Sequence, residues 1–267
     1  MIPNLYDLSE SQTPCPSNIN FHLHNHDDYE IFLFLEGDAQ YVVEDKRYNL
    51  EPGDIIVIRK HEMHRIFHNN QVTYRRAILM VSPAFFQKYH CAEYEQQFLH
   101  AATSAGNKIN AASVRSSGLL DAFVRYRRYS ENYTQAPDSP VLVSIIVEIL
   151  YLINRTITFS APDLTNDPLK SVIRYLNNRY TEDITLDMLE KKFFLSKYYI
   201  CRAFRNATGL TVHEYLNRKR LTRVRELTAS GCSIGDAASQ SGFHSYSSFY
   251  RAYLKEFGAP PREDLIP

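Results

Sequence analysis

One stretch of this chain occurs twice. Thr185-Leu-Asp-Met-Leu-Glu-Lys-Lys-Phe-Phe-Leu-Ser196 is matched in pattern by Ser233-Ile-Gly-Asp-Ala-Ala-Ser-Gln-Ser-Gly-Phe-His-Ser245, and the match continues to Gly209 and Gly258. Ile200 corresponds to Phe249, Arg202 to Arg251, Ala203 to Ala252, Phe204 to Tyr253 and Gly209 to Gly258. These pairs are 49 residues apart and the starts, Thr185 and Ser233, are 48 apart, so the second copy holds one extra residue at its turn. Each copy reads as a capped short helix, a tight turn, a serine cap and a second helix that stops at glycine, the helix-turn-helix pattern. Thr211-Val-His-Glu214 is a capping box that opens a long helix to about Ser230 between the copies. That helix can turn Leu216, Val224 and Leu227 inward and carries Arg218, Lys219, Arg220, Arg223 and Arg225. A plain helical bundle with a solvated basic face is the rival reading. It does not account for cap, turn, arginine and stop residues matched in both copies.

Charge supports a polyanion partner for this region. The chain has 30 basic and 30 acidic residues; 168–267 hold 16 basic against 10 acidic, which leaves 14 against 20 in 1–167. The four cysteines, Cys15, Cys91, Cys201 and Cys232, form no CxxC pair, which argues against a disulfide framework or zinc ribbon. The N-terminus has no basic region followed by an apolar run, so no signal peptide is expected and the expected location is cytoplasmic. The most apolar stretch, Val141 to Ile153, is too short to span a bilayer and reads as a buried helix.

Ahead of the duplication, Phe21 to Val81 reads as β: Ile31–Leu35, Tyr41–Val43, Ile55–Ile58 and Val72–Val81 are strand-like runs between turn signals such as Gly37-Asp38 and Pro52-Gly53-Asp54. Leu119–Tyr133 and Val141–Arg155 read as helices. The run 161–167 is rich in Pro, Asp and Asn and reads as a linker, with Asp167-Pro168 as N-cap and first position of an amphipathic helix through Leu169, Val172, Ile173 and Leu176. The expected organisation is a sensor and dimerisation domain over 1–160, a linker over 161–167, and an all-α domain over 168–267.

Residues 168–267 closely resemble the DNA-binding domain of the AraC/XylS family of bacterial regulators. The carrying residues are Ser196, Ile200, Arg202-Ala-Phe204, Gly209-Leu210, Tyr215-Leu216, Arg220-Leu221, Ser233-Ile234, Gly242-Phe243, Phe249, Arg251, Phe257-Gly258 and Pro261. Glu190 and Ala237 stand where the family pattern has Ala and Ile, Phe194 replaces its turn glycine, and Asp264-Leu265 replaces its closing Tyr-Arg. The resemblance implies that both second helices enter successive major-groove segments of double-stranded promoter DNA, about 34 Å apart. The matching contact positions are Lys197, Tyr198, Cys201, Arg202 and Arg205 on one helix, and Ser245, Tyr246, Ser247, Tyr250 and Arg251 on the other; Arg223 and Arg225 are expected to meet phosphate. Packing against the partner helix is the alternative for Tyr198 and Tyr246, and a merely small, fitting side chain is the alternative for Cys201.

His24-Asn25-His26-Asp-Asp-Tyr29-Glu30, followed after six intervening residues by Gly37, matches the first cupin motif HxHx3Ex6G without its leading glycine. Pro52-Gly53-Asp54 and His64 are similar to the second, with altered spacing before that histidine. The first domain therefore resembles the small β-barrel sensor of AraC-type regulators, and the fold class expected for the chain is α+β: a cupin-like barrel with following helices, then two helix-turn-helix units on a linking helix. His24, His26, Glu30, Tyr41, Arg59 and His64 are the expected effector-binding residues; strand packing is the alternative for Tyr41 and Arg59, and His61 and His68 are expected at the surface. The expected effector is a sugar or related metabolite bound without an obligatory metal or other cofactor. His24, His26, Glu30 and His64 are the ligand set if a metal does bind, and the altered spacing near His64 argues against one. No catalytic residue is expected. Homodimerisation through the helices after the barrel and contact with RNA polymerase belong to the same family reading. The rival classes are a metal-cupin enzyme with an accessory helical domain and an effector-independent architectural DNA-binding protein.

Overall fold

The computed structural model describes residues 5–18, 21, 23–95, 106–131, 139–156 and 168–261. The chain divides into two compact units, 1–164 and 165–267. The expected linker, the Asp167 cap and the Asp264-Leu265 departure lie outside the described residues.

The first unit is built on two antiparallel sheets. Five strands, β1 (Tyr6–Thr13), β7 (Tyr74–Val81), β2 (Tyr29–Glu36), β5 (Ile55–Ile58) and β8 (Lys108–Ile109), pair in that order. The others, β4 (Lys46–Asn49), β3 (Ala39–Val43) and β6 (His64–His68), pair in that order. Strand β2 is apolar on both faces because both are covered. Phe32 and Phe34 meet Tyr41, Tyr48, Ile58 and Tyr74 between the sheets, while Ile31 and Leu33 join Val57, Leu79 and the helices. Those helices are α1 (Pro83–Lys88), α2 (Ala111–Ser116), α3 (Leu119–Ser130) and α4 (Pro140–Thr156). Helix α4 commits Leu142, Ile145, Ile146, Ile149, Leu150 and Ile153 to the core of its own unit, leaving Val141 and Tyr151 exposed. Truncating Ile146 or Ile149 to Ala is worth about 2–5 kcal/mol.

Strand β1 escapes the sequence reading because Tyr6–Thr13 is largely polar, yet it pairs with β7 along its whole length. The strand expected from Val72 starts at Tyr74, and Val72 is exposed. Asp54 explains the Pro52-Gly53-Asp54 turn. Its buried carboxylate accepts from the backbone N–H of Glu51 (2.7 Å) and Ala111 (2.8 Å) and pairs with Lys108 (2.7 Å), tying the turn to α2.

The second unit holds α5 (Pro168–Arg179), α6 (Leu186–Phe193), α7 (Lys197–Thr208), α8 (Val212–Ala229), α9 (Ile234–Gln240) and α10 (Tyr246–Phe257). Thr185, Ser196, Ser233 and Ser245 each cap the next helix by accepting a backbone N–H, and Gly209 and Gly258 end theirs in the left-handed conformation. The Thr211–Glu214 capping box is formed in both directions. Helix α8 has an apolar face of Leu216, Leu221 and Val224, but Arg220 is buried with them. Its guanidinium donates to the carbonyls of Tyr180 (2.7 Å) and Glu182 (2.8 Å), so it belongs to the fold and not to the basic surface.

Candidate functional sites

The two turns solve one geometric problem differently. Phe194 and Gly242 occupy matching places, and both have positive φ, 56° and 93°. Phe194 is 92% exposed, so no packed neighbour demands a glycine there and only its own backbone conformation favours one. A Cβ on Gly242 would meet the carbonyl oxygen of Thr181 at 2.5 Å. Glu190, the other departure in the first copy, accepts the Lys197 backbone N–H at the start of α7 (3.1 Å), as an anion at a helix N-terminus should.

Helices α7 and α10 present corresponding faces. Ile200 and Phe204 on one, Phe249 and Tyr253 on the other, are buried. Opposite them Tyr198, Cys201, Arg202 and Arg205, and Ser245, Tyr246, Ser247, Tyr250 and Arg251, are exposed. Tyr198 is 74% exposed, so packing does not explain it, whereas Tyr246 rests partly on Phe249 (5.5 Å between ring centroids). Arg202 and Arg205 carry no side-chain ion pair among the described residues. Lys197 differs: its Nζ pairs with Asp187 (2.5 Å) and lies 3.9 Å from Glu190. On α8, Arg223 pairs with Glu226 (2.8 Å), Arg218 with Glu256 (2.9 Å), and Arg225 stacks over Phe257 (5.0 Å).

In the barrel, His24 and His64 form an antiparallel bridge with reciprocal backbone hydrogen bonds of 3.1 and 2.9 Å. The altered spacing before His64 is absorbed at His61, which takes a positive φ of 64° and donates its backbone N–H to the His26 carbonyl. The spacing therefore does not displace the histidine. His24, His26, Glu30 and His64 converge with ligand atoms within 4.8 Å of one another. His26 Nε2 lies 3.0 Å and His64 Nε2 3.4 Å from the same Glu30 oxygen, and Tyr41 donates its hydroxyl to the other (3.3 Å).

Tautomers follow from the other ring nitrogens. His26 Nδ1 lies 2.9 Å from the Asp28 carbonyl and His64 Nδ1 2.8 Å from that of Glu62. A carbonyl only accepts, so both Nδ1 atoms carry the proton and both Nε2 atoms face the carboxylate. Lone pairs facing a carboxylate repel unless a proton or a cation lies between them. Burial alone would push His26 down, but the Glu30 carboxylate beside it holds it above its ordinary value. Burial alone would push Glu30 up, and the two imidazoles outweigh it and hold its carboxyl low. The same donor set, with Nε2 atoms aimed inward and Nδ1–H groups anchored to carbonyls, fits a divalent transition metal.

Arg59 does not join this group. Glu30 is paired with Ile58, so Arg59, one residue on, points to the opposite face with Tyr29 and pairs with Glu62 (3.1 Å). His68 is not at the surface: it is 7% exposed between Phe21 and Tyr74, because residues of β6 alternate into the barrel. His61 is half-buried beside Asp27. Arg76, which the sequence reading passed over, lies over the Tyr74 ring (4.9 Å). Its signal was the strand pattern, in which it alternates inward with Tyr74 and Ile78.

A model of the AraC-like ligand binding domain matches residues 9–107, and a helix-turn-helix domain model matches 189–265. The chain is 23% identical over 244 residues to the HTH-type transcriptional activator RhaS of Citrobacter koseri, covering 90% of this chain and 86% of that one. It is 25% identical over 242 residues to RhaS of Yersinia pestis, covering 90% and 87%. Among solved structures it is similar to ToxT from Vibrio cholerae (14% identity, TM-score 0.40, 97% of each chain). It is also similar to the DNA-binding domain of AdpA in complex with a target DNA (23% identity, TM-score 0.35, 37% of this chain and 90% of that one). Among the described residues no helix is long and apolar enough to cross a membrane.

Proposed function

The chain belongs to the AraC family of transcription regulators, with an N-terminal ligand-binding domain and a DNA-binding helix-turn-helix domain, and from that premise we propose which of its residues read DNA and effector. Arg202 and Arg251, at matched positions on α7 and α10, each reach a base edge, where a guanidinium can bond guanine O6 and N7 together. Tyr198, Cys201, Arg205, Ser245, Tyr246, Ser247 and Tyr250 complete the two contact faces, and Arg223 supplies phosphate attraction from α8. Lys197 serves the fold of its own unit first, because two carboxylates of α6 engage it. The observation that carries this reading is the pair of corresponding exposed faces, each backed by a buried aromatic pair or an Ile–Phe pair.

The test is binding to a site selected from random DNA. Arg202→Ala and Arg251→Ala should each cost about 1–3 kcal/mol on the selected site and relax preference at one base pair. Equal losses on selected and random DNA would make these phosphate contacts and overturn the base-reading assignment. Arg223→Ala should lower affinity on both and flatten the salt dependence.

The barrel binds a small effector, with Glu30, Tyr41, His26 and His64 as its buried polar group and His24 at its edge. If a divalent metal is held here, His24, His26, Glu30 and His64 hold it, and the ion supplies a Lewis-acid anchor for an oxygen of the effector. The inward-facing Nε2 atoms favour this second reading. Elemental analysis of untagged protein, followed by effector binding in EDTA, separates the two. A second copy of the chain would seat against α3 and α4, where Val124, Val141 and Tyr151 are exposed apolar side chains. Sedimentation across a concentration series tests that association.

A further inference from the structure

The barrel interior contains a second polar group, apart from the His–Glu cluster, whose hydrogen bonding is incomplete. Arg76 stands opposite Ser11 on β1 and Phe34 on β2, so its side chain shares the inner face with Phe34 and Tyr74. Its guanidinium lies 4.9 Å from the Tyr74 ring centroid and 5.9 Å from that of Phe21. Nη1 of Arg76 is buried and finds no hydrogen-bond partner among the described residues. Its strand neighbour Arg75, on the outer face, pairs instead with Glu10 (2.8 Å).

His68 flanks the same two rings, 4.7 Å from Phe21 and 4.4 Å from Tyr74, and its Nε2 is likewise buried and unpartnered. A guanidinium N–H and an imidazole nitrogen taken out of water without a partner each cost free energy that a fold ordinarily avoids. Two such atoms around one pair of aromatic rings, unpartnered among the described residues, can be satisfied by a group that enters the barrel. We propose that the effector carries an anionic oxygen group, a carboxylate or comparable oxyanion, received by Arg76 and His68.

The chemistry selects the sign. Arg76 is always charged and presents parallel N–H groups that match an oxyanion. A cationic ligand would meet that charge directly, and a neutral one would leave it uncompensated. His68 serves as a neutral second donor: burial, aided by the charge of Arg76, pushes it down to about 4. Phe21, Phe34 and Tyr74 make the apolar wall for the body of the ligand. Tyr41 and Tyr74 each feel both the Glu30 carboxylate and the Arg76 guanidinium, so the two polar groups address one interior. The ligand class is thus a small organic acid. This inference rests on the reading of the barrel as the effector site.

The experiment follows the His68 imidazole resonances of the full chain by NMR during titration with acetate, benzoate and sulfate. Acetamide and benzamide serve as matched neutral probes. At least one anion should give a saturable shift at His68, its amide should give none, and Arg76→Gln should weaken the anion at least tenfold. Arg76→Lys should keep part of the binding and Arg75→Gln all of it. Absence of a saturable shift with all three anions, equal binding of an amide, or unchanged binding in Arg76→Gln overturns the proposal. The anion-against-amide comparison on the unsubstituted chain stands even if Arg76→Gln does not fold. DNA affinity measured on the same samples keeps the two readings apart. Intact DNA binding with no anion response refutes the anionic effector alone, whereas loss of specific DNA binding would refute the regulator reading.

Discussion

Gly242→Ala should be more damaging than alanine at Gly231, Gly235 or Gly258 of the same unit. Two costs combine. A residue with a Cβ at φ 93° pays for a backbone conformation that suits glycine, about 1–2 kcal/mol. The methyl would also lie 2.5 Å from the Thr181 oxygen and 2.8 Å from its carbonyl carbon and Cα. These are backbone atoms and cannot swing away, so overpacking adds about 1–3 kcal/mol. The sum, about 2–5 kcal/mol, is a large share of the 5–15 kcal/mol that holds a typical domain folded. Gly258 and Gly235 are internal controls. A Cβ on either meets nothing within 4 Å, but Gly258 has φ 72° and Gly235 does not have positive φ. Gly258→Ala should therefore cost only the conformational part, and Gly235→Ala, in a helix, should stabilise by up to about 0.5–1 kcal/mol. Urea unfolding followed by circular dichroism, with hydrogen exchange to locate the loss in residues 168–261, gives the ranking. A Gly242→Ala cost below about 0.5 kcal/mol, or one no larger than that of Gly258→Ala, would refute the close approach to Thr181.

Phe194→Gly should stabilise the chain by about 1 kcal/mol, since a 92%-exposed ring gives up no burial and the left-handed backbone strain is relieved; thermal unfolding checks it. Arg220→Ala should destabilise the second unit by about 2–4 kcal/mol by leaving two buried carbonyls without their charged donor, while the folded fraction keeps its DNA affinity. Bonds from Thr211, its backbone N–H foremost, and from Lys255 pull Glu214 down from 4.5 to about 2. Its stabilising effect is therefore fully present above pH 4.5 and is lost as pH falls towards 2. The side chain is 41% exposed, so solvent screens part of the effect, and Glu214→Gln should flatten the acid limb of the stability curve without abolishing it.

The helical unit was legible because its determinants are local. Each cap bonds to a backbone group three residues away, and each stop glycine needs only its own φ, so the repeat could be read from spacing alone. The barrel was legible in its motif and illegible in its lining. His24, His26, Glu30 and His64 follow a known spacing and do converge, but whether Arg59 or Arg76 faces inward depends on register. Glu30 opposite Ile58 sends Arg59 outward; Phe34 opposite Arg76 brings Arg76 inward. A shift of one residue reverses both, and no single strand encodes it. His68 was misplaced for the same reason.

The matched pattern of the two helix-turn-helix copies conceals an electrostatic difference. In the first, Lys197 is held by Asp187 and Glu190, while Arg202 and Arg205 have no side-chain ion pair among the described residues. In the second, hydroxyls predominate, and Arg251 spends its Nε on the Ser247 carbonyl of its own helix (3.3 Å). Freeing Arg251 for a base edge means giving up that bond, a cost Arg202 does not share. The first half of a bound site should therefore be read more by arginine on guanine, and the second more by hydroxyl contacts to phosphate and base edges. Arg202→Ala should accordingly cost more specific affinity than Arg251→Ala, and positions under α7 should show the sharper base preference in selected sites. The reverse order of losses would mean that the Arg251–Ser247 bond does not persist on DNA.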